Sequence, residues 1–94
     1  MLKANLRKAE NSDFLAEIGS CLEHARLRNR MTLEQLAAEL KRDARQVRRW
    51  IAGEERTQVD VVFRVPALRW PFVVALAELA DAVVDERISK RRTA

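Results

Sequence analysis

Four arginines stand within nine residues in "RDARQVRRW": Arg42, Arg45, Arg48 and Arg49. Arginine carries a planar fork of donors that matches a phosphate or the guanine edge bidentately. Like charges three or four residues apart destabilise a helix. This spacing therefore works against folding unless an anion meets it, and the chemistry it suits is recognition of a polyanion. A solvated basic face without a partner is the alternative. Codon usage in a GC-rich genome would account for 14 arginines against 4 lysines, but not for where the arginines sit.

Little else in the chain is equipped to react. Cys21 is the single cysteine and His24 the single histidine. An intrachain disulfide is impossible, and a metal set needs more ligands of these types. No nucleophile is spaced with a base, and no glycine-rich phosphate loop is present. Cys21 reads as a small core hydrophobe. The expectation is a protein that binds rather than catalyses, with no cofactor.

Those arginines need a helix to hold them. The chain has 94 residues, 48% hydrophobic content, two glycines and two prolines, which predicts one all-α domain with short connections. A formal charge of +4 and a pI of about 10.0 fit an anionic partner. Residues 1–11 are mixed and basic, with Leu2, Leu6 and Ala9 at rough helical spacing, and read as a frayed helix or a basic N-terminal arm. Ser12 is then a candidate N-cap, after which Phe14, Leu15, Ile18, Cys21, Leu22 and Ala25 recur at helical spacing to about Arg28. Thr32 with Gln35 forms a capping-box pattern, opening a short second helix with Leu33, Leu36, Ala37 and Leu40 inward. Asp43 is placed to cap a third helix, whose inward stripe is Val47, Trp50 and Ile51. Gly53 stands where a left-handed residue closes such a helix.

"TQVDVVFRV" follows, and Val59, Val62 and Phe63 fit one face of a short fourth helix. The β-branched run also suits a strand, but no second strand exists for it to pair with. Pro66 is expected to end this helix. A fifth helix is expected to begin around residues 67–71 and to run to about Ile88. From Phe72 to Val84 only Glu78 and Asp81 are polar. A helix so apolar must be covered nearly all round. A second copy is the expected cover, with Phe72, Val73, Leu76, Val83 and Val84 as the dimer face; wrapping by the other four helices is the alternative. Trp70, beside Arg69, reads as a cap on the core, with the dimer seam as the other possibility. Residues 12–88 form the expected domain and 89–94 a basic tail.

The stretch "LEQLAAELKRDARQVRRWIAG" resembles the helix-turn-helix of the Xre-type family of phage repressors and Cro. The match covers Met31 to Gly53 through the capped start, Leu36–Ala37, Leu40, Val47, Trp50 and Gly53, and extends loosely from Ser12 to Val84. It implies a compact five-helix, phage-repressor-like domain whose third helix enters the DNA major groove. Two turn positions depart from the family. Lys41 stands where a glycine is usual, so a left-handed backbone there would cost on the order of 1 kcal/mol. Arg42 stands where an apolar residue is usual. Leu33 also replaces a phosphate-binding glutamine, so that contact does not transfer.

With Val47, Trp50 and Ile51 inward, a step of about 100° per residue turns Arg45 and Arg49 to the opposite side. They are the expected base readers, and a G-containing half-site follows from arginine's pairing with guanine. Gln46 suits adenine or a phosphate, and Ala44 a thymine methyl. Arg48, Lys41 and Arg42 suit phosphates, which fix register without reading sequence. Thr32, at the start of the second helix, completes the candidate set. Arg26, Arg28 and Arg30 are weaker backbone candidates.

The expected function is a sequence-specific, double-stranded DNA-binding transcriptional regulator, a repressor by default. A homodimer would place two such helices about 34–36 Å apart on an inverted repeat. The alternative is an antitoxin that binds a toxin and autoregulates its operon; activation would instead need a contact with polymerase. The opening residues have no apolar run of the signal-peptide kind and no segment spans a bilayer, so a cytoplasmic protein without membrane contact is expected.

Overall fold

The computed structural model describes the backbone of residues 2–93 and the side chains of residues 14–82. Five helices follow one another: α1 (Leu2–Arg28), α2 (Leu33–Leu40), α3 (Ala44–Ala52), α4 (Val59–Phe63) and α5 (Pro66–Thr93). The fold is all-α and compact, with no strand among the described residues, as composition and breaker count predict. Val59, Val61 and Val62 form a helix despite their β-branching, and Val61 and Val62 are buried.

The two terminal helices are long: the first takes the helical alternative for the opening residues, and the second runs past its expected end. α1 begins at Leu2, so Ser12 lies inside it rather than capping it. The opening residues Leu, Lys, Ala and Arg are good helix formers, and nothing before Gly19 breaks the run. α5 likewise continues to Thr93, through the stretch expected to be a loose tail. Pro66 starts α5 instead of closing α4, because a proline at the first helical position forfeits an N–H that has no partner anyway.

Pro71 lies within α5 and lacks the N–H that would bond the Ala67 carbonyl one turn back. Asn29 supplies the missing donor. Its Nδ2 donates to the Ala67 oxygen at 2.9 Å and to the Ala25 oxygen at 2.9 Å, tying the end of α1 to the start of α5.

The core is built from Cys21, Leu22 and Ala25 of α1, Leu36, Ala37 and Leu40 of α2, Val47 and Trp50 of α3, Val61 and Val62 of α4, Val65, and Leu68 and Phe72 of α5. Phe63 meets Phe72 edge-on, with ring centroids 6.0 Å apart. Phe14, expected on the inner face of α1, is exposed. Both glycines of the chain serve one crossing, that of α1 over α3. A Cβ on Gly19 would lie 2.1 Å from the Trp50 oxygen, and one on Gly53 would lie 2.6 Å from Ala16 Cα. Only glycine permits this approach, and it fixes the roll and depth of α3 against α1.

Candidate nucleic-acid interface

α3 is held at both ends. Asp43 caps it, with Oδ1 accepting from the Arg45 N–H at 2.8 Å. Gly53, at φ 79°, closes it: its N–H reaches the Trp50 oxygen and the Glu54 N–H reaches the Arg49 oxygen. Val47 and Trp50 are fully buried, which fixes the rotation of the helix. Its outward residues are set by that lock.

Arg45, Arg48 and Arg49 are all exposed, and with Ala52 and Glu54 they line an open depression of about 360 Å³. Arg48 and Arg49 follow Arg45 by three and four residues, which places them on one stripe. Arg48 thus shares the outward face with Arg45 and Arg49 rather than standing apart at the flank. Arg45 and Arg48 make no ion pair among the described residues. The Arg49 guanidinium pairs with Glu55 at 3.2 Å, which orients it but leaves a competitor for any incoming anion.

The turn between α2 and α3 is Lys41–Asp43. Lys41 adopts the left-handed conformation expected of it, φ 55° and ψ 44°. Its N–H bonds the Ala38 oxygen and the Arg42 N–H bonds the Ala37 oxygen, satisfying the carbonyls that α2 leaves open. Lys41 is exposed. Arg42 is half-buried and committed: Nε and Nη2 donate to Gln58 Oε1 at 3.2 and 3.1 Å, and Nη1 donates to the Lys41 oxygen. Lys41 and Arg42 join Arg64, the residue that follows α4, around a second recess of about 210 Å³.

The other candidates are distributed less favourably. Ala44 and Gln46 are half-buried, and Ala44 packs against the core. Thr32 forms the expected capping box, accepting from the Gln35 N–H at 3.1 Å while its own N–H donates to Gln35 Oε1 at 2.8 Å. Its hydroxyl is therefore held in the cap, with its proton and one lone pair left over. Of the expected dimer face, Phe72 is corrected: it is 0% exposed within its own chain, so it cannot meet a second one. Val73 and Leu76 are half-buried, and Leu76 also packs on the core. The side chains of Val83 and Val84 lie outside the described residues. Trp70, read as a core cap, is instead 73% exposed. Leu68 and Phe72 face the core, and Trp70, two residues from each, is turned about 200° away.

Gln58 and Arg64 were not among the sequence candidates. Arg64 bears a readable signal, an Asp60–Arg64 pair one turn apart that closes at 3.6 Å. The Arg42–Gln58 contact spans sixteen residues and leaves no local trace. Elsewhere, Cys21 is buried; desolvation and the Glu17 and Glu78 carboxylates push its thiol up, away from the reactive thiolate. No group of three metal-ligating side chains is found among the described residues, and no described helix is long and apolar enough to cross a membrane. In comparison with known proteins, no family model, curated protein or solved structure matches this chain.

Proposed function

We propose that the protein binds double-stranded DNA by inserting α3 into the major groove. The observation that carries this reading is the exposed arginine stripe, Arg45, Arg48 and Arg49, on a helix whose opposite face is locked by Val47 and Trp50. A major groove about 12 Å wide admits one helix. A helix of nine residues, capped at both ends and fixed in roll, presents its side chains without needing to order them on binding. Arg45, near the N-terminus of α3 and free of ion pairs among the described residues, is the principal base reader. Arg48 and Lys41 contact phosphates. Arg42 is tied to Gln58, so it braces the turn and contributes charge rather than a flexible contact.

More particularly, we read the protein as a homodimeric repressor of transcription on an inverted-repeat operator, of the phage-repressor type. Occupying a promoter needs no surface beyond the DNA-binding face, which makes repression the simplest outcome. Selection from a random pool of duplex DNA tests the whole reading. Enrichment of a palindrome with G at the positions facing Arg45 supports it. A pool that stays random after several rounds sinks it.

A further inference from the structure

Large apolar side chains are exposed at four described positions, and all four lie on α1 or α5: Phe14, Leu27, Trp70 and Val74. None lies on α2, α3 or α4. Exposed tryptophan is uncommon on a free surface and enriched where proteins meet. Trp70 and Val74 are one turn apart on α5, and Val74 is 46% exposed. The helix that is apolar nearly all round is therefore covered by its own chain on one side only.

Trp70 and Val74 edge a trough along the α1–α5 seam. One end, about 420 Å³, is lined by His24, Arg28, Trp70, Pro71, Val74 and Glu78. The other, about 360 Å³, shares His24 and Glu78 and continues to Glu17 and Cys21. α1 and α5 run antiparallel here, since Arg28 lies by Trp70 while Glu17 lies by Leu79. The trough is thus polarised, with Arg28 at the Trp70 end, Glu17 at the other and Glu78 between them. None of the three makes an ion pair with another described residue. A surface that is cationic at one end and anionic at the other matches itself when reversed, as a two-fold axis requires.

We propose that this α1–α5 trough seats a second copy of the chain, docked in reverse so that Arg28 meets the partner's Glu17 while Trp70 and Val74 lie over the opposite end of the partner's trough. This rests on the two-copy part of the function proposed above and replaces the face that the sequence suggested. Trp70 supplies the apolar anchor, and the charges set direction and exclude the parallel arrangement.

Sedimentation equilibrium of the full chain without DNA tests it. The wild type is expected at twice the 10.8 kDa chain mass at micromolar concentration. Trp70→Glu should weaken association about 100-fold, as loss of an aromatic anchor does. Trp70 is exposed, so the helical circular dichroism should be retained. Arg28→Glu should weaken association about 10-fold, and adding Glu17→Arg should recover most of that loss. A wild type that is monomeric at about 100 μM, a Trp70→Glu protein that still dimerises, or a charge swap no better than Arg28→Glu alone would each overturn the proposal. DNA selection separates the two readings: a single half-site enriched by a monomer overturns the trough and spares DNA binding. A dimer sensitive to Trp70→Glu that enriches no sequence does the reverse.

Discussion

The turns on either side of α3 have the same backbone form and opposite reasons for it. Before α3, Lys41 closes α2 at φ 55°; after it, Gly53 closes α3 at φ 79°. In both, the left-handed residue and its successor donate to the last carbonyls of the helix just ended. At Gly53 the residue type is dictated by packing, because any Cβ would run into the Ala16 backbone. Lys41 is exposed and nothing prevents a glycine there, yet the chain holds a long cation in a conformation that disfavours it. The exit of α3 is shaped by the fold. The entry tolerates strain and presents positive charge beside Arg42 and Arg64, which makes sense if an anion is met there.

The strongest way to break this comparison is to exchange the residues. Gly53→Lys should destabilise the domain by about 3 kcal/mol, from the left-handed backbone together with overpacking against Ala16. Urea unfolding measures it, and a loss below about 1 kcal/mol would mean that α1 and α3 separate easily and that packing does not govern the exit. Next in size is Arg45→Ala at the entry end. Binding to the selected sequence should fall by about 1–3 kcal/mol and one base position should relax, while stability changes by less than about 0.5 kcal/mol. Equal loss on selected and random DNA would make Arg45 a phosphate contact. Arg48→Ala should weaken all sequences alike and lower the salt slope by about 1.

Lys41→Gly has a smaller effect and divides the two accounts most sharply. It should stabilise the domain by up to about 1 kcal/mol by relieving the left-handed strain. It should also lower the salt slope of DNA binding by about 1 on every sequence. Stability gained with binding unchanged would show that the lysine has no partner and that the entry turn is merely imperfect.

These turns also show where the sequence was legible. Capping patterns are local, so Thr32–Gln35, Asp43 and Gly53 were readable, as were the buried Leu36, Leu40, Val47 and Trp50. The left-handed Lys41 was readable only through a resemblance that expected glycine there. What failed depended on distance or on the absence of a stop. The Arg49–Glu55 and Arg42–Gln58 contacts need the folded loop after α3. Pro71 looked like part of a helix start, but it lies inside α5 because Asn29, far away in sequence, satisfies the carbonyl it orphans. Phe72 and Trp70 were both apolar positions on a helix apolar all round, where periodicity carries no phase. Leu68 had to be placed before either could be assigned a side.

A third left-handed residue sharpens the comparison at its small end. Arg30, at φ 52°, closes α1 with the same pair of bonds, through its own N–H to the Leu27 oxygen and the Met31 N–H to the Arg26 oxygen. Like Lys41 it is an exposed cation without a glycine's freedom, but here the turn is clasped. Arg26 Nη1 donates to the Met31 oxygen at 2.8 Å, and the same guanidinium pairs with Glu23. The hydrogen bond from Arg26 holds the Glu23 carboxyl below its ordinary value of 4.5, against the opposing pull of desolvation. A depressed folded value means that the stabilisation is present above the ordinary value and is lost as pH falls through the folded one. Glu23→Gln should therefore lower stability by roughly 0.2–1 kcal/mol near neutrality, the range of partly exposed pairs, and the gap to wild type should close in acid. Urea unfolding at about pH 7, 5 and 3 checks this. A gap that persists at the lowest pH would show that Glu23 acts through packing, and that the turn at Arg30 bears its strain, as the turn at Lys41 does, without electrostatic support.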